Sequence, residues 1–170
     1  MFNSIILMKY VLDSGIFMNL HEVPTIPGTH YIPTSAVDEI KSSNSRHIFE
    51  LFLSQHDVTV LDPDENYLKM AKKASTKIGQ TGLSAVDLEV LALVFMLLDV
   101  EPVTLISDDY AMKNVAHSEN IESIGFKTKG GNQLRIYEFQ CNACHEVFDK
   151  LPEECDNCGH TKFTRHRRKH

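Results

Sequence analysis

The first 140 residues of this 170-residue chain contain no cysteine, and all four cysteines lie between residues 141 and 158. Small secreted domains that depend on disulfides spread their cysteines along the chain, so the pattern excludes that class. The N-terminal stretch has neither a basic segment nor a small-residue cleavage site, and we expect no signal peptide. Together these absences predict a reducing compartment, the cytoplasm, and favour metal-binding cysteines over disulfides.

Long apolar runs are also missing. The run Val90–Leu98 is unbroken, but a membrane-spanning helix needs roughly 20 such residues, so we expect no membrane partner. The net charge of −6 excludes a protein that coats nucleic acid by bulk positive charge. Internal repeats and low-complexity tracts are absent as well, apart from a basic C-terminal tail. These absences leave an ordinary globular domain with a small appendage.

The stretch 83–109 carries the clearest pattern in the chain, that of a helix followed by a strand. Ser84 is a good N-cap, and Asp87, three residues later, completes a capping-box pattern before an apolar helix. A helix that is apolar on all sides is buried. Pro102 ends the helical region, Val103–Ile106 reads as a short buried strand, and two acids follow it at once. The pattern therefore predicts a buried helix feeding a buried strand, with carboxylates at both open ends.

The rest of the N-terminal part alternates strand and helix patterns. The apolar run Ile5–Leu12 predicts a central strand, and Ser35 is predicted to cap a helix with Glu39 in its first turn. Further segments complete the alternation: a strand at 30–32, a helix from 45, a strand at 58–61, a helix ending near 78, a helix at 110–116 and an edge strand near 120–126. Such alternation predicts an α/β fold, a three-layer parallel sheet with helices on both faces.

The four cysteines form two C-x-x-C pairs with ten residues between them, namely Cys141, Cys144, Cys155 and Cys158. Each pair directs two thiolates at one ion, and two pairs close a tetrahedral site. Thiolates are soft ligands, which favours zinc and leaves a rubredoxin-like iron site as the alternative. Four protein ligands leave no open position, so we predict a structural Zn²⁺ in a small zinc ribbon. His145 and His160 stand beside the pairs without being needed as ligands.

Changes of composition give the expected boundaries. An α/β domain is expected at 1–130, and the Gly-containing stretch at 131–135 is the expected linker. The zinc ribbon occupies 136–165, and a basic tail occupies 166–170.

Two groups of basic side chains are candidates for weak RNA binding. One is a stripe at helical spacing with Lys69, Lys72 and Lys73, and the other is the C-terminal set of Arg165, Arg167, Arg168 and Lys169. Positive side chains in a row suit phosphate contact. The alternatives are a solvated helix face for the first group and a disordered tail for the second.

Acidic residues recur where strands end or helices begin, namely Asp13, Glu39, Asp87, and Asp108 or Asp109. In a parallel sheet these places meet along one edge. Carboxylates gathered there repel one another unless a cation lies between them, and oxygen-only ligands suit Mg²⁺ or Mn²⁺. Such ions activate water and neutralise phosphate charge, the chemistry of a nuclease. The alternative for Asp87 and Asp109 is simple helix capping.

Four stretches together resemble the PIN-domain ribonucleases: Val11–Phe17, Thr34–Glu39, Leu83–Asp87 and Ile106–Asp109. With the four-cysteine ribbon following and the stretch Ser107–Asn114, the chain resembles the short archaeal form of the Nin-one-binding protein family over nearly its whole length. The resemblance implies that Asp13, Glu39, Asp87 and either Asp108 or Asp109 are catalytic, metal-binding acids. Ser14 and Ser107 are implied to orient water at that metal, and no histidine or lysine is indicated as a general base.

The same resemblance implies an endoribonuclease that cleaves precursor small-subunit ribosomal RNA near its 3′ end. Its expected partners are that RNA, the small ribosomal subunit and other assembly factors. Two alternatives stay open: a PIN nuclease that acts on messenger or transfer RNA, and a non-catalytic RNA-binding assembly factor. The ribbon argues against the first alternative because compact toxins lack one, and the full acid set argues against the second.

Overall fold

The structure is a computed structural model that describes residues 8–18, 20–126, 137–148 and 151–167. The larger part is a five-stranded sheet in which all neighbouring strands are parallel, in the order β3-β2-β1-β4-β5. Its strands are β1 (Lys9–Leu12), β2 (Thr29–Ile32), β3 (Asp57–Val60), β4 (Val103–Ile106) and β5 (Ser123–Ile124). Its helices are α1 (Thr34–Asp38), α2 (Ser43–Gln55), α3 (Glu65–Lys77), α4 (Ala85–Leu98) and α5 (Tyr110–Ser118).

Both faces of the central strands are covered. Successive residues of a strand point to opposite faces, yet Val11 and Leu12 of β1 are both fully buried, and every residue of β4 is buried. Helix α4 packs against β1 and β4 and contacts α1, α3 and α5. Its buried run Val90–Val94 lies inside the apolar stretch, which explains why that stretch has no polar face. The predicted α/β fold with a layered parallel sheet is therefore confirmed.

The strand order places the turning point of the chain between β1 and β4. From β1 the chain adds β2 and β3 on one side and then returns to add β4 and β5 on the other. Adjacent parallel strands whose connections leave in opposite directions open a crevice at their carboxyl ends, where ligands bind in open α/β sheets. Here Leu12 pairs with Ile106, so the residues that follow both strands enter the same crevice.

Local start signals were right in one helix and wrong in another. Ser84 and Asp87 form the predicted capping box of α4. Ser35 does not cap α1, because the helix starts one residue earlier at Thr34 with Pro33 in the N-cap position. The Ser35 hydroxyl instead donates a hydrogen bond to the Glu89 carboxylate, which ties α1 to α4.

Glycine is required where β2 begins. Gly28 has φ 140°, and a Cβ atom there would lie 2.2 Å from the carbonyl oxygen of Met8. Any side chain would therefore collide with backbone, and the glycine lets the chain enter β2 beside β1.

The smaller part is a three-stranded antiparallel sheet in the order β7-β6-β8. Its strands are β6 (Tyr137–Cys141), β7 (Val147–Phe148) and β8 (Phe163–Arg167). The last strand runs two residues past the expected ribbon end at 165. The expected linker at 131–135 lies outside the described residues. Within the described ranges, no helix combines the length and apolar character that crossing a membrane requires.

Candidate active site

Acidic residues directly follow β1 and β4 and lie at the crevice between these two strands. Asp13 follows β1, and its backbone N–H donates to the Ile106 carbonyl at 3.0 Å, which extends the strand pairing by one residue. Ser107, Asp108 and Asp109 follow β4 directly. The sequence-predicted meeting of these side chains at one sheet edge is therefore present in the structure.

The hydroxyl of Ser107 connects the two strand ends. It donates to Oδ2 of Asp13 at 2.8 Å and accepts the backbone N–H of Asp109 at 3.0 Å. The other oxygen of Asp13 accepts from the backbone N–H of Gly15 at 3.2 Å. A Cβ atom at Gly15 would lie only 3.1 Å from Oδ2 of Asp13, so a larger residue there would crowd the carboxylate. The Asp13 carboxylate is thus held in one orientation by two hydrogen-bond donors, one on each oxygen.

The environment of Asp13 disfavours the charged form of its carboxyl group. Its side chain is only 7% exposed, and this burial is the main reason why its pKa is raised above the ordinary value of 3.8. The hydrogen bonds from Ser107 and Gly15 lower the pKa, while the negative charges of Asp87 and Asp109 raise it further. The charges of two other carboxylates therefore act on the buried Asp13, and a cation bound among them would relieve this repulsion.

Glu39 reaches the same place by a route that the sequence did not predict. It lies at the C-cap of α1, not in the first turn, because that helix has only five residues. Its Oε2 accepts a hydrogen bond from the Ser14 hydroxyl at 2.8 Å. Since Ser14 directly follows Asp13, this bond ties Glu39 to the Asp13 end of the crevice.

Asp87 does two things at once. Its Oδ2 accepts the backbone N–H of Ser84 at 2.7 Å, and its own N–H donates to the Ser84 hydroxyl at 3.1 Å. The capping role is therefore real. Its charge nevertheless raises the pKa of Asp13 across the crevice, so capping and a place among the carboxylates are compatible in one residue.

Of the two adjacent acids after β4, Asp109 is the N-cap of α5. Its Oδ1 accepts from the backbone N–H groups of Ala111 at 2.5 Å and Met112 at 3.1 Å. Asp109 is also the acid whose charge bears on Asp13. Asp108 is half-buried and borders, together with Asp109, a pocket described below.

The carboxylates are more widely spaced than ligands that share one ion directly. Within the described ranges, the cysteine sulfurs form the one set of three or more candidate ligand atoms that all lie within 4.8 Å of each other. Mg²⁺ tolerates wide spacing, because it keeps several waters and is usually held by one or two carboxylates plus substrate phosphates. The donor set is all oxygen, which fits Mg²⁺ or Mn²⁺ and not a soft metal.

We expect Asp13→Asn to raise the midpoint of thermal unfolding by a few degrees in buffer without Mg²⁺ or Mn²⁺, because it removes a buried charge. Its one amide oxygen can keep the hydrogen bond from Ser107 and gives up the one from Gly15. A carboxyl with a raised pKa loses folded-state stability as the pH rises from 3.8 through that pKa. The increase in the unfolding midpoint caused by Asp13→Asn should therefore be largest at neutral pH and should shrink on acidification.

The matched control for Asp13→Asn is Asp38→Asn, which removes an equal charge from an exposed side chain. Thermal unfolding followed by circular dichroism, with and without Mn²⁺, makes the comparison. Mn²⁺ should stabilise the wild type more than the Asp13 variant. A variant that is less stable than the wild type at pH 7 would show that Asp13 is not under like-charge repulsion.

The four cysteines meet as the sequence predicts. All are free thiols, and their sulfurs lie within 4.8 Å of one another. The Cys141–Cys158 and Cys144–Cys155 sulfur pairs are 3.6 and 3.5 Å apart. A tetrahedral ion with bonds of about 2.3 Å places its ligands about 3.8 Å apart, whereas a disulfide requires about 2.05 Å. The cluster fits a closed four-thiolate zinc site in a zinc ribbon.

Each cysteine pair sits in a turn that shapes a knuckle. In the second turn the N–H of Gly159 donates to the Cys155 carbonyl at 2.7 Å, and Gly159 has φ 69°. In the first turn His145 occupies the equivalent place with φ 62°, and its N–H donates to the Cys141 carbonyl at 3.0 Å. Glycine adopts this left-handed backbone without strain, whereas a histidine there is uncommon. The backbone hydrogen bond from Glu146 is the main reason why the pKa of Cys144 is lowered to about 6. In contrast, burial raises the pKa of Cys155, and hydrogen bonds with the neighbouring thiols raise the pKa of Cys158 to about 12.

The basic side chains separate into two groups. In α3, Lys69 pairs with Glu65 at 3.1 Å, while Lys72 and Lys73 are exposed and border a shallow surface depression. In β8, Arg165 reaches the larger domain, where its Nη1 donates to the Gly79 carbonyl at 3.3 Å. The side chain of Arg167 and the residues Arg168 and Lys169 lie outside the described part of the structure.

The sequence analysis did not identify the residues that line a pocket together with Arg165. A pocket beside Asp108 and Asp109 is lined by Gln80, Tyr110, Ala111, Asn114 and Arg165. Tyr110 and Asn114 fall in the stretch 107–114 that carries the family resemblance, which was the available signal. Nothing in the sequence singles out Gln80, whose place depends on how α3 ends.

Comparison with known proteins identifies the larger domain. The sequence model described as the PIN domain of ribonuclease matches residues 10–97, slightly more than half of the chain. The chain belongs to the PIN-domain ribonuclease family. It is therefore an endoribonuclease, which confirms the expectation that it is an enzyme acting on RNA.

Three relatives show how far the likeness of this PIN-domain ribonuclease extends. Endoribonuclease Nob1 of Pyrococcus abyssi is 32% identical over 89% of this chain and 90% of its own length. Endoribonuclease Nob1 of Methanothermobacter thermautotrophicus is 31% identical over 92% of both. Ribonuclease VapC1 of Thermoplasma acidophilum is 29% identical over 90% of this chain and 76% of its own length. The resemblance to the Nin-one-binding family is confirmed by relatives that span nearly the whole chain.

Proposed function

We propose that this chain is a divalent-metal-dependent endoribonuclease that cleaves precursor small-subunit ribosomal RNA near its 3′ end. The observation that carries the proposal is the Asp13 carboxylate, which is linked to the end of β4 by the Ser107 hydroxyl at 2.8 Å and whose pKa is raised chiefly by burial and further by the charges of Asp87 and Asp109. Such repulsion destabilises the folded domain, and proteins keep strained charges of this kind chiefly at functional sites. The relatives named Endoribonuclease Nob1, which match the chain over both domains, support the choice of substrate.

We assign four residues to the metal: Asp13, Glu39, Asp87 and Asp109. Asp109 is preferred to Asp108 because its charge acts on Asp13 and its backbone shares the Ser107 hydroxyl. A bound Mg²⁺ or Mn²⁺ supplies activation of water and neutralisation of phosphate charge. Ser107 fixes the Asp13 carboxylate, and Ser14 fixes Glu39, so both serines keep the acids facing the crevice.

The charge balance explains how RNA approaches such a site. Carboxylates in the crevice repel phosphate, so RNA binding there depends on the cation and on nearby positive side chains. Arg165 stands at the rim of the crevice, and Lys72 and Lys73 are exposed on α3. We propose that these residues contact RNA, that the chain acts in the cytoplasm on the small ribosomal subunit, and that other assembly factors accompany it.

The likeness to Ribonuclease VapC1 favours a second candidate function, cleavage of a different RNA. The ribbon was expected to argue against it. However, the VapC1 match covers 90% of this chain, so it leaves out fewer residues than the ribbon contains and must extend into it. A ribbon therefore does not separate the two names, and the substrate has to be tested directly.

The test is cleavage of three RNAs by the purified zinc-bound chain with Mn²⁺, with Mg²⁺, and without either ion. One RNA spans the 3′ end of the small-subunit ribosomal RNA and its precursor extension, and the others are a transfer RNA and a messenger RNA fragment. We expect a single cut in the first, mapped by primer extension and absent when neither Mn²⁺ nor Mg²⁺ is added. Preferential cutting of transfer or messenger RNA would support the second function, and cutting without either ion would overturn dependence on a divalent cation at the carboxylates.

A further inference from the structure

A pocket of about 390 Å³ lies where the ribbon meets the crevice of the PIN domain. Its lining comes from the start of α5 with Tyr110 and Asn114, from Gln80 after α3, and from Arg165 of the ribbon. Asp108 and Asp109, which follow β4, line it as well. The volume falls in the range of small-ligand pockets, and the lining is mostly polar.

The position of Gln80 is set by the way α3 ends. Gly79 has φ 71°, its N–H donates to the Thr76 carbonyl at 3.0 Å, and the Gln80 N–H donates to the Ser75 carbonyl at 2.8 Å. This pair of bonds is a Schellman motif, which fixes the residue after the glycine. The side chain of Gln80 is 5% exposed, and the Gly79 carbonyl is left to accept from Arg165.

The chemistry of the lining suits a nucleotide. Tyr110 is 40% exposed at the pocket, and the Lys113 ammonium lies 5.3 Å from its ring centroid. Bases of single-stranded RNA stack on aromatic side chains and bind amide groups through their edges. Gln80 and Asn114 each carry an amide with donors and an acceptor, which is the group that reads base edges.

Charge decides which part of a nucleotide fits where. A neutral base next to Asp108 and Asp109 meets no like-charge repulsion, whereas a phosphate there is repelled. The guanidinium of Arg165, whose Nη1 donates to the Gly79 carbonyl next to Gln80, is the group of the lining that suits phosphate. The lining therefore carries groups for a base and a group for a phosphate.

We propose that this pocket binds one nucleotide of single-stranded RNA beside the bond that is cut, with its base on Tyr110, Gln80 and Asn114 and its phosphate at Arg165. The position of this nucleotide, next to the bond that is cut, rests on the function proposed above. It makes the ribbon a part of substrate recognition at the cleavage site, since Arg165 comes from β8.

The test measures affinity separately from cleavage. Fluorescence anisotropy with a labelled single-stranded RNA of mixed sequence, in buffer without Mg²⁺ or Mn²⁺, compares the full-length zinc-bound wild type with Tyr110→Ala. We expect about tenfold weaker binding for Tyr110→Ala, because base stacking on one aromatic side chain contributes about 1–3 kcal/mol. Tyr110→Phe keeps the ring and should restore most of the loss. Arg165→Gln should also weaken binding, whereas its matched control Lys162→Gln, an exposed ribbon residue, should not.

Photo-crosslinking of wild type to RNA that contains 5-iodouridine gives an answer that needs no variant. Crosslinks mapped by mass spectrometry to residues 110–114 support the pocket, and crosslinks confined to other parts of the chain overturn it. Unchanged affinity of Tyr110→Ala overturns it too, as does an equal loss for fully duplex RNA, whose bases cannot enter. Failure to cleave the ribosomal RNA fragment alone would overturn the proposed substrate and leave the binding result standing.

Discussion

Asp87→Asn should reduce RNA cleavage by at least about a hundredfold while the protein remains folded. The variant keeps the shape of the side chain, and its amide oxygen can still accept the Ser84 N–H that now ends on Oδ2 at 2.7 Å. The variant also removes one of the negative charges that act on Asp13. The affinity of the site for a divalent cation therefore falls, and such a cation contributes several kcal/mol to transition-state stabilisation. Single-turnover cleavage of the ribosomal RNA fragment in Mn²⁺ measures the loss.

A matched pair of variants separates the two roles of Asp87. Ser84→Ala removes the hydroxyl that caps the same helix end but leaves the Asp87 carboxylate in place. We expect Ser84→Ala to lose about 1 kcal/mol of unfolding free energy and to keep cleaving RNA. If Asp87 served only as a helix cap, Asp87→Asn would cleave RNA at the wild-type rate. That result would remove Asp87 from the catalytic set.

Cys141→Ser should lose the metal and unfold the ribbon while the PIN domain keeps its structure. Structural zinc contributes about 10–16 kcal/mol to folding in small zinc peptides, far more than this sheet can supply by burial. Among described residues of the ribbon, Phe139, Cys141 and Cys155 are the ones fully buried. Elemental analysis should find one zinc per wild-type chain and less than about half in the variant.

The control for Cys141→Ser is Glu154→Ser, an exposed ribbon position beside a cysteine, which should retain zinc and structure. Hydrogen exchange should show loss of protection in residues 137–167 of the cysteine variant alone. Iron in place of zinc would favour the rubredoxin-like alternative. Loss of protection throughout the five-stranded sheet would show that the ribbon is part of the PIN domain's own folding unit.

The fold followed from the sequence wherever the signal was local or compositional. The capping box of α4, the buried strand β4 and the alternation of strands and helices needed only residues close in the chain. The cysteine spacing predicted the cluster because a C-x-x-C turn places two sulfurs together whatever surrounds it. Errors arose at element ends, as with Ser35, where the backbone restriction of Pro33 and a bond to Glu89 outweighed a good capping residue.

The sequence by itself determined which residue types this protein brings to its sites, namely four thiolates for zinc and a set of acids at strand and helix ends. Only the tertiary structure decided how those acids are linked: Glu39 through Ser14, and Asp13 through Ser107, across 25 and 94 positions of chain. It alone placed Arg165 beside Asp108 and Asp109, because that contact bridges two domains. Local pattern encodes secondary structure, whereas side-chain partners distant in sequence depend on sheet order and domain packing, which no short stretch of residues contains.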